Sequence, residues 1–406
     1  MAILRGMQNH EILARPIDIG PLASKNRIVM PPLVIWKSDR SGEVGDDHVE
    51  HYARSVGPGM MIVEATTVAS DGRLAGSQLG IWSDEHIAGL RRLADVIHDS
   101  GALAGIQIHH AGASSSVEKN YGEAPKVPSI VEHSPDGAEE MSASDIDATI
   151  AAFADAAARA VTAGFDVIEL HGAHGYLIAQ FLSPATNQRT DDWGGSPEKR
   201  RRFMVEVIRA VRQRIGAEGA GATGTKNGDA PAAGRPIAVT IRLGLAASGK
   251  RRLAIDEGME AADAAVAAGV DAIHVSHAGG IDDELGRGIR AHAGSVVGDE
   301  AASEFELTIL LAAMAKDRLA VPIIGVGGIL TPEAASKAIE GGYADMIAVG
   351  RAILADPMWA QKALGGVDSP IEMCRQCKPR CFWFKEPPKC PARIKLAQRG
   401  EQPAVV

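Results

Sequence analysis

Val167-Ile168-Glu169-Leu170-His171-Gly172-Ala173-His174-Gly175-Tyr176 is a strand that runs into a loop of functional side chains. Side chains alternate along a strand, so Val167, Glu169 and His171 share one face, and Ile168 and Leu170 the other. The apolar face suits a cover of helices. The polar face then points to an interior, with His171 at the C-terminal end of the strand. His174 and Tyr176 follow in a glycine-punctuated loop.

Working outward, seven further β-rich runs recur: Arg27–Met30, Met60–Ala65, Leu103–His109, Ile237–Leu243, Val270–Ser276, Val321–Gly327 and Ala344–Gly350. With Asp166–His171 as the fourth in order, the chain carries eight. Several are almost continuously apolar, as parallel strands covered by helices are. Amphipathic segments lie between them. Asp84–Ser100 stops at Gly101 and Ser144–Ala163 at Gly164, each starting from an N-cap residue type. Ser196-Pro197-Glu198 opens another helix, with proline at the first helical position. Eight strands alternating with helices predict the α/β class and a (β/α)8 TIM barrel. A doubly wound sheet would place Gly-x-Gly-x-x-Gly after a strand. The nearest run, Gly325-Val326-Gly327-Gly328-Ile329-Leu330, lacks the last glycine and follows the seventh strand, where barrels bind phosphate. The barrel is expected over residues 1–367 and a cysteine-rich extension over 368–406. Gly216–Arg235, rich in Gly and Ala, reads as a flexible loop on the N-terminal side of the fifth strand.

Composition narrows the function. The 406 residues carry 42 basic and 51 acidic side chains, a net charge of −9, which argues against nucleic acid as a partner. Aromatics make up only 4%, so the core is aliphatic. No apolar run reaches the roughly 18–20 residues that span a bilayer, and Met1–Ile12 holds no signal-peptide core, so a cytoplasmic protein is expected. All 4 cysteines fall within Cys374–Cys390, which suits a metal-ligand cluster better than a disulfide framework.

At a barrel mouth, His171 and His174 can donate hydrogen bonds to a substrate oxygen, and Tyr176 can deliver a proton. Zinc there would lack an evident third ligand. Arg242, on the face of Ala238 and Thr240, points inward and needs an anion: a cofactor, or a carboxylate such as Glu169 or Glu64. Gln107 could bond a heterocycle edge or serve as a structural amide. Gly327-Gly328 and Gly350-Arg351 end the seventh and eighth strands and let backbone N–H groups approach a phosphate. On these grounds alone a phosphosugar isomerase or aldolase stays open.

The stretch from His171 continues as Leu177-Ile178-Ala179-Gln180-Phe181-Leu182-Ser183-Pro184, then Asn187-Gln188-Arg189-Thr190-Asp191 and Gly194-Gly195-Ser196-Pro197-Glu198. This run resembles the Old Yellow Enzyme family of FMN-dependent NAD(P)H:flavin oxidoreductases. Asn26–Met30 with Pro32, Val63-Glu64-Ala65, Gly80–Asp84, Gly105–Gly112 and Gly350-Arg351 add to the resemblance, which covers roughly residues 10–365. Spacing in the early barrel is similar to the short bacterial branch. The resemblance implies that Pro31, Pro32, Ala65 and Gln107 line the flavin ring, with Leu33 and Val34 beside it. Arg242 would lie at the N1/C2 carbonyl edge, and Gly327, Gly328, Gly350 and Arg351 would hold the FMN phosphate. His171 and His174 would bind the oxygen of an enone, enoyl or nitro compound, and Trp36 would shape the pocket. Tyr176 would protonate the alpha carbon while flavin N5 delivers hydride to the beta carbon. The electron donor would be NADH or NADPH. Val34 stands where the family usually has Thr or Cys, so a lower flavin potential is expected. Ala113-Ser114 replaces a basic pair often found after His-Ala-Gly.

The tail reads Cys374-x2-Cys377-x3-Cys381-x8-Cys390. Four thiolates suit a [4Fe–4S] cluster or zinc. The larger branch, similar to 2,4-dienoyl-CoA reductase and trimethylamine dehydrogenase, carries an iron–sulfur cluster here, which favours the cluster. That branch continues into flavodoxin-like and dinucleotide-binding domains, whereas this sequence reaches Val406 without them. Electrons would then enter from NAD(P)H directly or from a redox protein partner. The basic and aromatic residues near the cysteines are expected chiefly to pack the metal site. The expected activity is reduction of activated C=C bonds in a small unsaturated molecule, by a homo-oligomer. Alternatives are an amine-oxidising dehydrogenase or demethylase and a non-redox phosphate-binding isomerase or lyase.

Overall fold

The computed structural model describes residues 10–221 and 235–401. Eight parallel strands close into a barrel. They are β1 (Ile28–Met30), β2 (Met60–Thr67), β3 (Leu103–His109), β4 (Val167–Gly172), β5 (Ala238–Gly244), β6 (Ala272–Ser276), β7 (Ile323–Val326) and β8 (Met346–Ala348). Each pairs with its neighbours in sequence order, and β8 closes on β1 through Ile347 opposite Ile28. The outer layer comprises α1 (Asp46–Ala53), α2 (His86–Asp99), α3 (Ala143–Ala163), α4 (Pro197–Gly221), α5 (Ile255–Ala268), α6 (Leu307–Arg318), α7 (Pro332–Glu340) and α8 (Trp359–Ala363).

The predicted strands and barrel are thus present, with ends moved by two residues at most. The interior is graded. Val29, Met60, Ile62, Val167, Ala238, Ala272, Ile324 and Met346 fill its lower half. One pleat further up, the inward positions turn polar, with Gln107, Glu169, Thr240 and His274 all buried. Ile168 and Leu170 join the helix-side core, as alternation along β4 requires. An antiparallel hairpin, Ile17–Ile19 with Leu22–Ser24, was not foreseen. Its Ile19 joins the lower cluster and plugs the bottom of the barrel.

Three local expectations are corrected. α4 runs on through Gly216 to Gly221, so the expected loop does not begin at Gly216; residues 222–234 lie outside the described residues. Ser142, not Ser144, caps α3: its hydroxyl accepts from the Asp145 N–H, and Asp145 reaches back to the Ser142 amide. α2 starts at His86 rather than Asp84.

The tail packs on the barrel. Arg393 is buried, donates from Nε to the Leu354 carbonyl at 2.8 Å and lies over the Trp383 ring at 4.8 Å. Trp383 in turn meets His51 of α1, ring centroids 5.9 Å apart.

Candidate active site

The β4 loop brings His171, His174 and Tyr176 together. His174 takes a left-handed backbone (φ 57°), which turns its ring back toward His171. His174 Nδ1 lies 3.3 Å from His171 Nε2, and His174 Nε2 lies 2.9 Å from Ser276 Oγ at the end of β6. The Tyr176 ring meets His171 edge-on at 4.8 Å. Burial, reinforced by His174, His109 and Arg242, drives His171 well below the ordinary imidazole range. Burial, then Arg242, does the same to His174. Both are neutral at neutral pH, and each can present one N–H. Tyr176 is pushed up by burial, with Arg251 and Arg242 pulling the other way, so the phenol keeps its proton.

Beneath this cluster lies a polar layer. Glu169 accepts from Gln107 Nε2 at 2.8 Å, and its other oxygen lies 2.9 Å from His274 Nδ1. Both carboxylate oxygens are therefore occupied, and Arg242 forms no ion pair among the described residues. Its Nε is enclosed without a hydrogen-bond partner. An orphaned guanidinium N–H in a barrel interior fits an anionic or carbonyl-bearing ligand edge above it. The Glu64 alternative fails too: its Oε2 accepts from the Ile35 amide at 3.1 Å, on the far side of β2. A register shift between Val63 and Thr66 marks a bulge that re-aims Glu64 and Ala65. Glu64 thereby ties down the loop after β1, where Pro31 and Pro32 are buried and Leu33 and Val34 half-buried. Trp36 sits in that loop at φ 57°, strained for a bulky residue, and makes no ring contact with His171, His174 or Tyr176.

The β1 loop meets the β8 turn: a Cβ on Gly350 would lie 3.5 Å from Pro31 Cγ and 3.7 Å from Leu33. Gly327 and Gly328, at φ 144° and 64°, adopt backbone that only glycine takes easily. They line a cavity of about 490 Å³ with Arg290, Glu306 and Lys337. Glu306 leans over this turn, its Cγ 2.5 Å from where a Gly328 Cβ would be. Arg351 is exposed at the next turn.

Comparison with known proteins identifies the family. The model of the NADH:flavin oxidoreductase / NADH oxidase family matches residues 13–226 and 284–369. The chain belongs to that family. It is 34% identical over 362 residues to an NADPH dehydrogenase of Bacillus subtilis (strain 168), covering 88% of this chain and 96% of that one. It is 36% identical over 371 residues to an NADH oxidase of Thermoanaerobacter brockii, covering 90% of this chain. It spans only 52% of that oxidase, about half its length. Among solved structures, a 2-naphthoyl-CoA reductase complexed with 2-naphthoyl-CoA superposes with a TM-score of 0.75 at 27% identity, over 92% of this chain and 55% of that one.

The family match ends at 369, before the first cysteine. Beyond it, all four cysteines line one cavity of about 300 Å³, together with Arg351, Leu354 and Ala355. The cavity therefore abuts the expected phosphate turn. Burial raises the Cys381 thiol, while backbone N–H groups of Trp383 and Phe384 lower it and Cys374 and Cys390 add to the rise. Among the described residues, no three His, Cys, Asp or Glu side chains converge closely enough to hold a single ion. The four cysteines thus share one pocket, but among the described residues they form no metal-ligand shell. No helix of the described residues is long and apolar enough to cross a membrane.

Reading the sequence missed several members of this cluster. His109 is fully buried with both ring nitrogens unpartnered, edge-on to Tyr176 at 4.6 Å. Ser276 and His277 come from the end of β6, and Arg251 from the loop after β5. His274 and Ser276 share the inward face with Ala272, so strand alternation applied to β6 would have found them.

Proposed function

We propose that the protein is an FMN-dependent NAD(P)H oxidoreductase that reduces activated C=C bonds. The observation that carries this reading is the convergence of His171, His174 and Tyr176 at a barrel mouth beside a guanidinium, Arg242, that lacks an anion. Pro31, Pro32, Leu33, Val34, Ala65 and Gln107 would hold the flavin ring, with Arg242 at its carbonyl edge. Gly327, Gly328, Gly350 and Arg351 would hold its phosphate, in the barrel's 1–367 portion. FMN held there would supply two-electron hydride chemistry between NAD(P)H and the beta carbon of the substrate. The neutral imidazoles of His171 and His174 donate to the activating oxygen, which replaces their mutual 3.3 Å contact. Tyr176, protonated at working pH, gives its proton to the alpha carbon. Trp36 and its loop border the pocket.

Cys374, Cys377, Cys381 and Cys390 fit a [4Fe–4S] cluster better than zinc. Zinc gathers four sulfurs at about 2.3 Å from one point, which the open cysteine pocket does not resemble. A cluster there would supply a one-electron relay, and a redox protein could reach it from the 368–406 extension. The test is anaerobic purification followed by an absorption spectrum, metal analysis and turnover of a cyclic enone with NADH and NADPH. Flavin bands, about four irons per chain and enone reduction are expected. Tyr176→Phe lowers the rate about 100-fold. A protein that refuses FMN overturns the reading.

A further inference from the structure

Arg251 closes the short turn Gly249–Arg251 after β5, and its side chain crosses the barrel mouth. Nη1 donates to the His174 carbonyl at 2.8 Å and Nη2 to Ser114 Oγ at 3.1 Å. Two glycines make room for it. A Cβ on Gly175 would lie 2.3 Å from Arg251 Cδ, and one on Gly279 2.9 Å from Arg251 Cβ. The loops after β3, β4 and β6 therefore all meet one side chain supplied by the loop after β5. Catalytic groups in barrels come from these loops, so the position is central.

Its charge is unanswered. Both of these acceptors are neutral, and among the described residues Arg251 enters no ion pair. Lys119 comes to the same place, its Nζ donating to the Ser114 carbonyl at 3.0 Å, again without an acid. Tyr176 and His277 both feel the Arg251 charge. A half-buried guanidinium without a counter-ion carries a desolvation cost that an anionic ligand relieves. Its planar fork suits a carboxylate in particular, and N–H groups beyond the two already engaged remain to make that contact.

Position says which part of a ligand this is. Tyr176 serves the alpha carbon, so a group reaching Arg251 projects from that carbon. We propose that Arg251, backed by Lys119, selects unsaturated substrates bearing a carboxylate on a substituent of the alpha carbon. This rests on the reductase reading above. It also explains how a rim that carries Ala113-Ser114 in place of a basic pair regains positive charge.

The experiment compares a cyclohexenone carrying a carboxymethyl group on its alpha carbon with the methyl ester of the same compound. Binding to oxidised FMN-loaded protein is read from the flavin absorbance, and turnover with NADPH separately. The acid is expected to bind about ten-fold more tightly than the ester, with the preference shrinking as salt rises. Arg251→Gln brings the ratio near one, and Arg251→Lys keeps part of it. Taking the ratio within each variant removes any general loosening of the mouth. Equal binding of acid and ester by the wild type, or an unchanged ratio in Arg251→Gln, overturns the proposal. Failure to turn over either compound overturns the reductase reading instead, while the binding ratio still decides the role of Arg251.

Discussion

Glu306 is at odds with the role proposed for its surroundings. It lies against Gly328, where a phosphate dianion is proposed to bind, and two anions so close repel. The side chain is exposed and free to swing outward, so the cost is moderate. Glu306→Gln is therefore expected to tighten FMN binding about three- to ten-fold, within the range of about 1 kcal/mol for exposed charges. Fluorescence titration of the apoprotein measures it, and an unchanged affinity means that Glu306 stands clear of the phosphate. At this scale the sequence was readable wherever a side chain's direction follows from strand alternation. His171 and Arg242 were found that way. Arg251 was not, because loop closure decides where it lies; His109 shares the inward face of Gln107 on β3, so alternation would have found it.

Elements were more legible than residues. Each barrel strand announces itself as a short apolar run, because burial on both sides leaves no room for polar residues except near the mouth. Its ends shift because ladder hydrogen bonds, not hydropathy, set them. The hairpin over residues 17–24 escaped notice because its strands have 3 residues each, too few for a period. Its only signal was Gly20-Pro21, and Gly20 is needed there: at φ 55°, a Cβ would lie 2.3 Å from Asp271. The handover from α8 to the tail was equally silent in sequence. Lys362 Nζ lies 2.8 Å from Asp356 Oδ2 and 2.7 Å from Glu401 Oε2, tying the barrel to the end of the described tail. Asp356 also accepts the Glu372 amide at 2.9 Å. Lys362→Met strands a buried carboxylate and is expected to cost about 3–5 kcal/mol. Adding Asp356→Asn should recover much of that loss. Chemical denaturation of the two variants checks the pair, and equal stability of single mutant and wild type would sink the idea.

Across the whole molecule the histidines set the response to acid. Burial first, in every case, lowers His48 to about 4 and His51 and His109 to about 3. His171 and His174 are driven well down, and His274 and His277 are lowered as well. Each is neutral in the folded chain but takes a proton near pH 6.5 when unfolded. Their contribution to stability is therefore fully present above pH 6.5 and is lost as pH falls toward the folded values. Each can remove up to about 1.4 kcal/mol per pH unit. Glu64 works in the opposite sense. Burial raises it to about 8, so its contribution is complete below the unfolded value and declines as pH rises through 8. One carboxyl cannot balance seven imidazoles, so the melting temperature of the apoprotein should peak near neutrality and drop steeply between pH 6 and 5. A melting temperature flat from pH 7 to 5 contradicts this. The same burial keeps His171 and His174 from titrating while the protein is folded. Activity should therefore hold steady from pH 8 down to 6 and then vanish together with the folded state, with no separate imidazole step before it.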